Sequence, residues 1–161
     1  MEEGKFYFLL DKYFVDFPDK DLEKNKEGGR DRPCFFTFKE EKTEIYWMIP
    51  ISSKVDKYKT VYANKTRNGK RCDTLIFGEI LKQERVFLVQ NMCPVIDEYV
   101  GSEYKYSFYK HVPVYIDSDL KEEIKHKATR ILNLVRDGNT DLVFPNIMKI
   151  EKQLLRKLKN K

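Results

Sequence analysis

Two short apolar runs, separated by a charged turn and each bounded by a proline, constrain this chain more than anything else in it. Cys34-Phe35-Phe36-Thr37-Phe38 leads into Glu40-Glu41-Lys42, and Thr43-Glu44-Ile45-Tyr46-Trp47-Met48-Ile49 returns. Runs of this length, rich in aromatic and β-branched side chains and joined by a polar turn, predict an antiparallel strand pair. In the second run Ile45, Trp47 and Ile49 alternate with Glu44, Tyr46 and Met48, which predicts a strand buried on one face. Arg32 stands immediately before Pro33 at the start of the first strand, and Ser52-Ser53-Lys54 follows Pro50-Ile51 at the end of the second. If those strand ends meet, hydroxyl donors and fixed positive charge gather at one place. An ordinary polar turn would use the same serines. Beside a guanidinium and an ammonium, they also suit holding a phosphodiester while a hydroxyl attacks it.

The rest of the chain supplies more strands first and helices later. Residues 5–10 read as a strand, and residues 11–18 as an aromatic, turn-like stretch. Residues 19–31 are almost wholly charged around Gly28-Gly29 and read as a mobile surface loop. Thr74-Leu75-Ile76-Phe77 and Val86-Phe87-Leu88-Val89 read as two further strands, and residues 92–95 as a short edge strand that tolerates Pro94. Asp119 with Glu122 three residues on predicts a capping box. Ile124, Ala128, Ile131 and Val135 then recur at helical spacing until Gly138 stops the run. A second helix is predicted from about Pro145, with Ile147, Ile150, Leu154 and Leu158 on one side. The class is α+β: a small, mainly antiparallel sheet with two helices late in the chain, in one domain over residues 1–161.

Charge narrows the choice of partner. The net charge of +5 is modest, but residues 54–71 carry Lys54, Lys57, Lys59, Lys65, Arg67, Lys70 and Arg71 against the single acid Asp56. Tyr58 and Tyr62 are interleaved. A basic loop of this kind neutralises phosphates while aromatic faces stack on unpaired bases. The C-terminal helix adds Lys149, Lys152 and Arg156, either as a solvated face or as a second RNA contact. No apolar run approaches the ~20 residues needed to span a bilayer. Three cysteines without a CxxC pair predict free thiols and a reducing, cytoplasmic setting, and the acidic N-terminus is no secretory signal. No metal-ligand spacing and no cofactor motif is present. His111, in Tyr109-Lys110-His111, is a candidate general acid but reads better as structural, and His126 reads as surface.

These residues also resemble a known family. The run from Arg32 to Phe36, the return through Tyr46 to Lys54, Asn91-Met92-Cys93-Pro94-Val95, and Ile131-Leu132-Asn133-Leu134-Val135-Arg136-Asp137-Gly138 agree in order and spacing with the toxins of type III toxin–antitoxin systems. This is the ToxN/AbiQ group, and the chain is most similar to its CptN branch. The resemblance implies a barrel-like fold akin to Kid and MazF and a phage-defence endoribonuclease. It also implies a small, structured antitoxin RNA as partner, processed from a repeat precursor and held in a closed protein–RNA assembly. It places the catalytic residues at Ser52, Ser53, Lys54 and Arg32, with Arg30 an alternative to Arg32. Lys57 and Lys59 are alternatives to Lys54, which here follows the serine directly instead of after a spacer.

Cleavage without a metal uses the ribose 2′-hydroxyl as nucleophile and leaves 2′,3′-cyclic phosphate and 5′-hydroxyl ends. Arginine, ionised to a pKa above ~12, can clamp phosphate but cannot act as base. Which group is base and which is acid stays open between the lysines and a serine relay. A non-catalytic RNA-binding module, or a MazF-like ribonuclease held by a protein antitoxin, would use much of the same surface.

Overall fold

The computed structural model describes residues 1–106 and 111–160. The strands are β1 (Phe6–Leu9), β2 (Lys26–Glu27), β3 (Arg30–Asp31), β4 (Cys34–Lys39), β5 (Tyr46–Ser52), β6 (Leu75–Ile80), β7 (Gln83–Leu88), β8 (Cys93–Val95) and β9 (Val100–Glu103). The helices are α1 (Asp11–Asp16), α2 (Val55–Thr66), α3 (Ser118–Arg136) and α4 (Ile147–Lys159). Seven strands form one sheet in the order β6-β7-β5-β4-β1-β9, with β8 also on β5, and β2-β3 is a separate hairpin. All pairings of the main sheet are antiparallel. This is the α+β organisation expected, with two helices late in the chain.

β5 is the centre of the molecule. Its seven residues are all buried, where the alternation predicted one solvated face. The reason is tertiary: β4 lies along one edge, β8 and then β7 along the other, and late helices pack over the sheet. β5 pairs with β8 at Tyr46, Trp47 and Met48 and with β7 at Ile51 and Ser52. Pro50 sits where one neighbour gives way to the other, a position that suits a residue without an N–H. A bulge in β4 puts Phe36 opposite Met48 but Phe38 opposite Trp47. The turn between β6 and β7 places Leu81 and Lys82 at φ 52° and 61°, the left-handed pair of a tight hairpin without its usual Asn-Gly.

Three local expectations change. Residues 11–16 are helical, anchored by buried Tyr13, whose hydroxyl donates to the Pro94 carbonyl at 2.8 Å. α3 is capped two residues earlier than the capping box implies, because the Asp117 side chain accepts from the Asp119 and Leu120 amides. β9, paired with β1, has no clear sequence signal, since Val100-Gly101-Ser102-Glu103 is short and polar. The helical faces themselves hold. Ile124, Ala128, Ile131 and Val135 of α3, and Ile147, Ile150 and Leu154 of α4, are buried, and Gly138 takes φ 105° just past α3. No described helix is long and apolar enough to cross a membrane.

Asp73, just before β6, is buried and receives Arg71 Nε at 2.6 Å and the Arg130 guanidinium of α3. Burial alone would raise its carboxyl, but the two arginines outweigh it and hold the group below the usual carboxylate range. A folded-state value lowered in this way adds stability that is present above the unfolded value, ~4, and is lost as pH falls through the folded value. Asp73→Asn is therefore less stable than the parent at pH 7, and the gap narrows towards pH 3. Urea midpoints at the two pH values measure this, and an equal gap at both contradicts it.

Candidate active site

Arg32 and the serines are brought together by strand register. Cys34 pairs with Pro50, and the Ile51 amide donates to the Pro33 carbonyl at 3.4 Å, so the start of β4 lies beside the end of β5. On the other edge Ser52 pairs with Val86, and continuing that register brings Arg85 level with Ser53. Arg30, Arg32, Ser52, Ser53 and Arg85 all line one cleft of about 340 Å³, with Phe8 and Tyr104 as its apolar wall. α2 begins directly after Ser53-Lys54, so its N-terminus, the positive end of the helix dipole, borders the same cleft.

Ser52, Ser53 and Arg32 all meet the Glu27 carboxylate in the free protein. Ser52 is buried, and its hydroxyl donates to Glu27 Oε1 at 2.5 Å while accepting from the Lys54 amide at 3.2 Å. Ser53 is exposed, with its amide 3.1 Å and its hydroxyl 3.4 Å from Glu27 Oε2. Arg32 is only 8% exposed, and its guanidinium meets Glu23 through Nη1 and Glu27 through Nη2 at 3.5 Å. Arg32 Nε–H is buried and has no acceptor among the described residues, a donor that calls for a partner. Burial tends to raise the Glu27 carboxyl. Hydrogen bonds from Ser52 and Ser53 and the charges of Arg32 and Lys54 prevail and lower it, so the group is ionised at neutral pH.

The remaining expected contacts are more scattered. The basic stretch after Lys54 is the helix α2 through Thr66 and not a loop. Lys54 sits at its N-cap with an exposed side chain that does not line the cleft. Tyr58 is buried beneath the site and offers no face for stacking, and burial lifts its phenol well clear of neutral pH. Tyr62 is 37% exposed and meets Phe77 edge-on at 5.7 Å. Lys57 lies over the Tyr58 ring, and Lys59 pairs with Glu84. Lys65 is held by Thr74 and Gln90, Arg67 by Asn64, and Arg71 by Asp73. Lys70, Lys149, Lys152 and Arg156 are exposed. His111 is exposed outside the cleft, and Tyr109 and Lys110 beside it lie outside the described residues, as does Lys161.

Three side chains at the cleft went unread in the sequence. Glu27 lines the cleft and Glu23 holds Arg32 beside it, so two carboxylates meet the hydroxyls and positive charge that the strand ends gather. Their signal was available: Gly28-Gly29 between Lys26-Glu27 and Arg30-Asp31 is a two-residue hairpin, with φ 58° and 79° at the glycines. Arg85 carried no local signal, because only the pairing of β5 with β7 places it beside Ser53. Its guanidinium bonds its own strand, the Glu84 carbonyl at 2.8 Å and the Gln83 side chain.

No family model matches this sequence, and no curated protein matches it. The fold, however, is that of a solved ribonuclease toxin. AbiQ, described as a lactococcal anti-phage endoribonuclease belonging to the type-III toxin–antitoxin system, superposes with a TM-score of 0.70. The match covers 98% of this chain and 99% of that one at 13% identity. A likeness of that kind establishes a shared fold over essentially the whole chain.

Proposed function

We propose that this chain is an endoribonuclease toxin of a type III toxin–antitoxin system, acting without a metal as a single domain in the bacterial cytoplasm. The observation that carries the proposal is the cleft itself. Arg32, Ser52 and Ser53, distant in sequence from Arg85, converge on one hollow at the N-terminus of α2, in a chain that shares the AbiQ fold. Ser52 Oγ, Ser53 Oγ and the Ser53 amide are hydrogen-bond donors fixed by backbone geometry. Together with the guanidinium of Arg32 they suit the two non-bridging oxygens of a phosphodiester, whose negative charge grows as the ribose 2′-hydroxyl attacks phosphorus. As the 2′-oxygen bonds to phosphorus its proton passes to solvent water, the bond to the 5′-oxygen breaks, and that oxygen takes a proton from water or from the Lys54 ammonium, whose exposed side chain must turn into the cleft to deliver it. Arg85 adds charge at the cleft and binds a flanking phosphate.

The same chemistry supports an RNA partner. A small, folded antitoxin RNA, processed by the enzyme from its own repeats, inhibits it by lying in the cleft and along the exposed basic side chains of α2 and α4, in a closed protein–RNA assembly. Lys65 of α2 lies 5.9 Å from the ring of Phe144, just before α4, so the two basic elements approach each other at that point.

Purified protein is expected to cut single-stranded RNA in the presence of EDTA, with 2′,3′-cyclic phosphate on the upstream fragment and a 5′-hydroxyl on the downstream one. End-group analysis by mass spectrometry reads both. Cleavage that appears only with added magnesium, or that leaves 5′-phosphates, overturns the reading.

A further inference from the structure

The Glu27 carboxylate is placed as a phosphate would be. Oε1 takes the Ser52 hydroxyl at 2.5 Å and lies 3.5 Å from Arg32 Nη2. Oε2 takes the Ser53 amide at 3.1 Å and the Ser53 hydroxyl at 3.4 Å. Every donor assigned above to the scissile phosphate is thus already turned towards one internal anion. We propose that Glu27 occupies the scissile-phosphate subsite in the free protein, and that RNA enters by displacing it together with the tip of the β2–β3 hairpin. The proposal rests on the nuclease reading and adds to it how the site is kept closed.

The hairpin is built to move as a unit. It forms its own two-stranded sheet, apart from the main one, and turns through Gly28 and Gly29. Its base is pinned outside the tip: the Arg32 amide donates to the Asn25 carbonyl at 2.8 Å, and the Asn25 side chain donates to Leu9 and Asp11. Among the described residues, the side-chain hydrogen bonds from residues 26–31 to another element are those of Glu27. Releasing one carboxylate therefore frees the tip while Asn25 and Arg32 hold the ends.

Arg32 is prepared for the exchange. Its Nη1 is committed to Glu23, while Nη2 makes only the long contact with Glu27 and Nε has no acceptor among the described residues. The Nε/Nη2 edge is one of the forks through which arginine grips phosphate with two parallel hydrogen bonds. Once Glu27 leaves, that fork faces the cleft. Glu27 is poorly suited to be the general base, because a carboxylate receiving two hydroxyls, an amide and a guanidinium is stabilised in its ionised form.

A site occupied by its own side chain binds ligand more weakly by the fraction of molecules in which it is open. The test uses a labelled single-stranded oligonucleotide with 2′-deoxy sugars throughout, which cannot be cut by 2′-hydroxyl attack. Glu27→Gln and Glu27→Ala are each expected to bind it about tenfold more tightly than the parent, the gain for a site closed about ten times to one. Asp31→Asn removes the same charge from the same hairpin without touching the serine donors, and is expected to gain at most about twofold, as a screened charge effect. Unchanged or weaker binding by both Glu27 variants overturns the proposal, as does an equal gain in all three. Cleavage of all-ribose RNA by the parent separates the two readings. Cutting with no gain in the Glu27 variants refutes the closed site alone, whereas tighter binding by them in a protein that never cuts refutes the nuclease reading alone.

Discussion

Ser53→Ala is expected to lower RNA cleavage by about 10²–10³-fold, the usual cost of removing one donor from a site of developing negative charge. The side chain is well placed for a clean result. Ser53 is exposed, and its hydroxyl makes one contact, the 3.4 Å approach to Glu27. Its backbone amide, the better donor to Glu27, survives the substitution. Folding should therefore be untouched, with thermal melts superimposing on those of the parent while initial rates fall. Ser52→Ala would be harder to read, because the Ser52 hydroxyl also accepts from the Lys54 amide and so helps set the start of α2. Parent-like cleavage by Ser53→Ala, in a protein free of contaminating ribonuclease, would move the site elsewhere in the cleft.

Trp47→Ala has the largest expected effect on stability, about 3–5 kcal/mol as for other large aromatic-to-alanine changes in a core. Trp47 is fully buried near the start of β5, between Phe38 across β4 and Pro94 across β8. Its indole N–H donates to Glu40 Oε1 at 3.1 Å, and the Arg136 guanidinium lies 5.8 Å from its ring. Arg136 in turn bridges Glu40 and Glu151, so removing the indole loosens a connection between the β4–β5 turn, α3 and α4 as well as leaving a hole. At this chain length the loss corresponds to a fall in Tm of roughly 6–20 °C. Calorimetry on the variant checks it, and a fall of under about 2 °C would mean that the core collapses around the missing ring.

Much of what positions the cleft was legible from residue types alone. Apolar runs bounded by Pro33 and Pro50 specify the β4–β5 pair, since turn chemistry and β-propensity act over a few residues. The i, i+4, i+7 spacing of Ile124, Ala128 and Ile131 specifies α3 for the same local reason. Helix α2 was misread because its sequence is polar nearly all round, with Tyr58 alone buried, so the apolar stripe that marks a helix is missing. The two-sided burial of β5 was hidden because alternation reports one face, and only the packed neighbours decide what covers the other.

For the candidate site, the sequence by itself determined the parts: a guanidinium before one proline and two hydroxyls after another, at neighbouring strand ends. Tertiary structure decided the assembly. Arg85 comes to line the same cleft as Ser53 through the β5–β7 register, which joins residues more than thirty positions apart. Glu27 reaches the same donors across a separation of twenty-five residues to Ser52. Contacts of that range depend on loop closure and on what every intervening element packs against, and no local pattern encodes them. The local code set which charges and hydroxyls the chain would carry, and long-range packing set that one carboxylate would face them all.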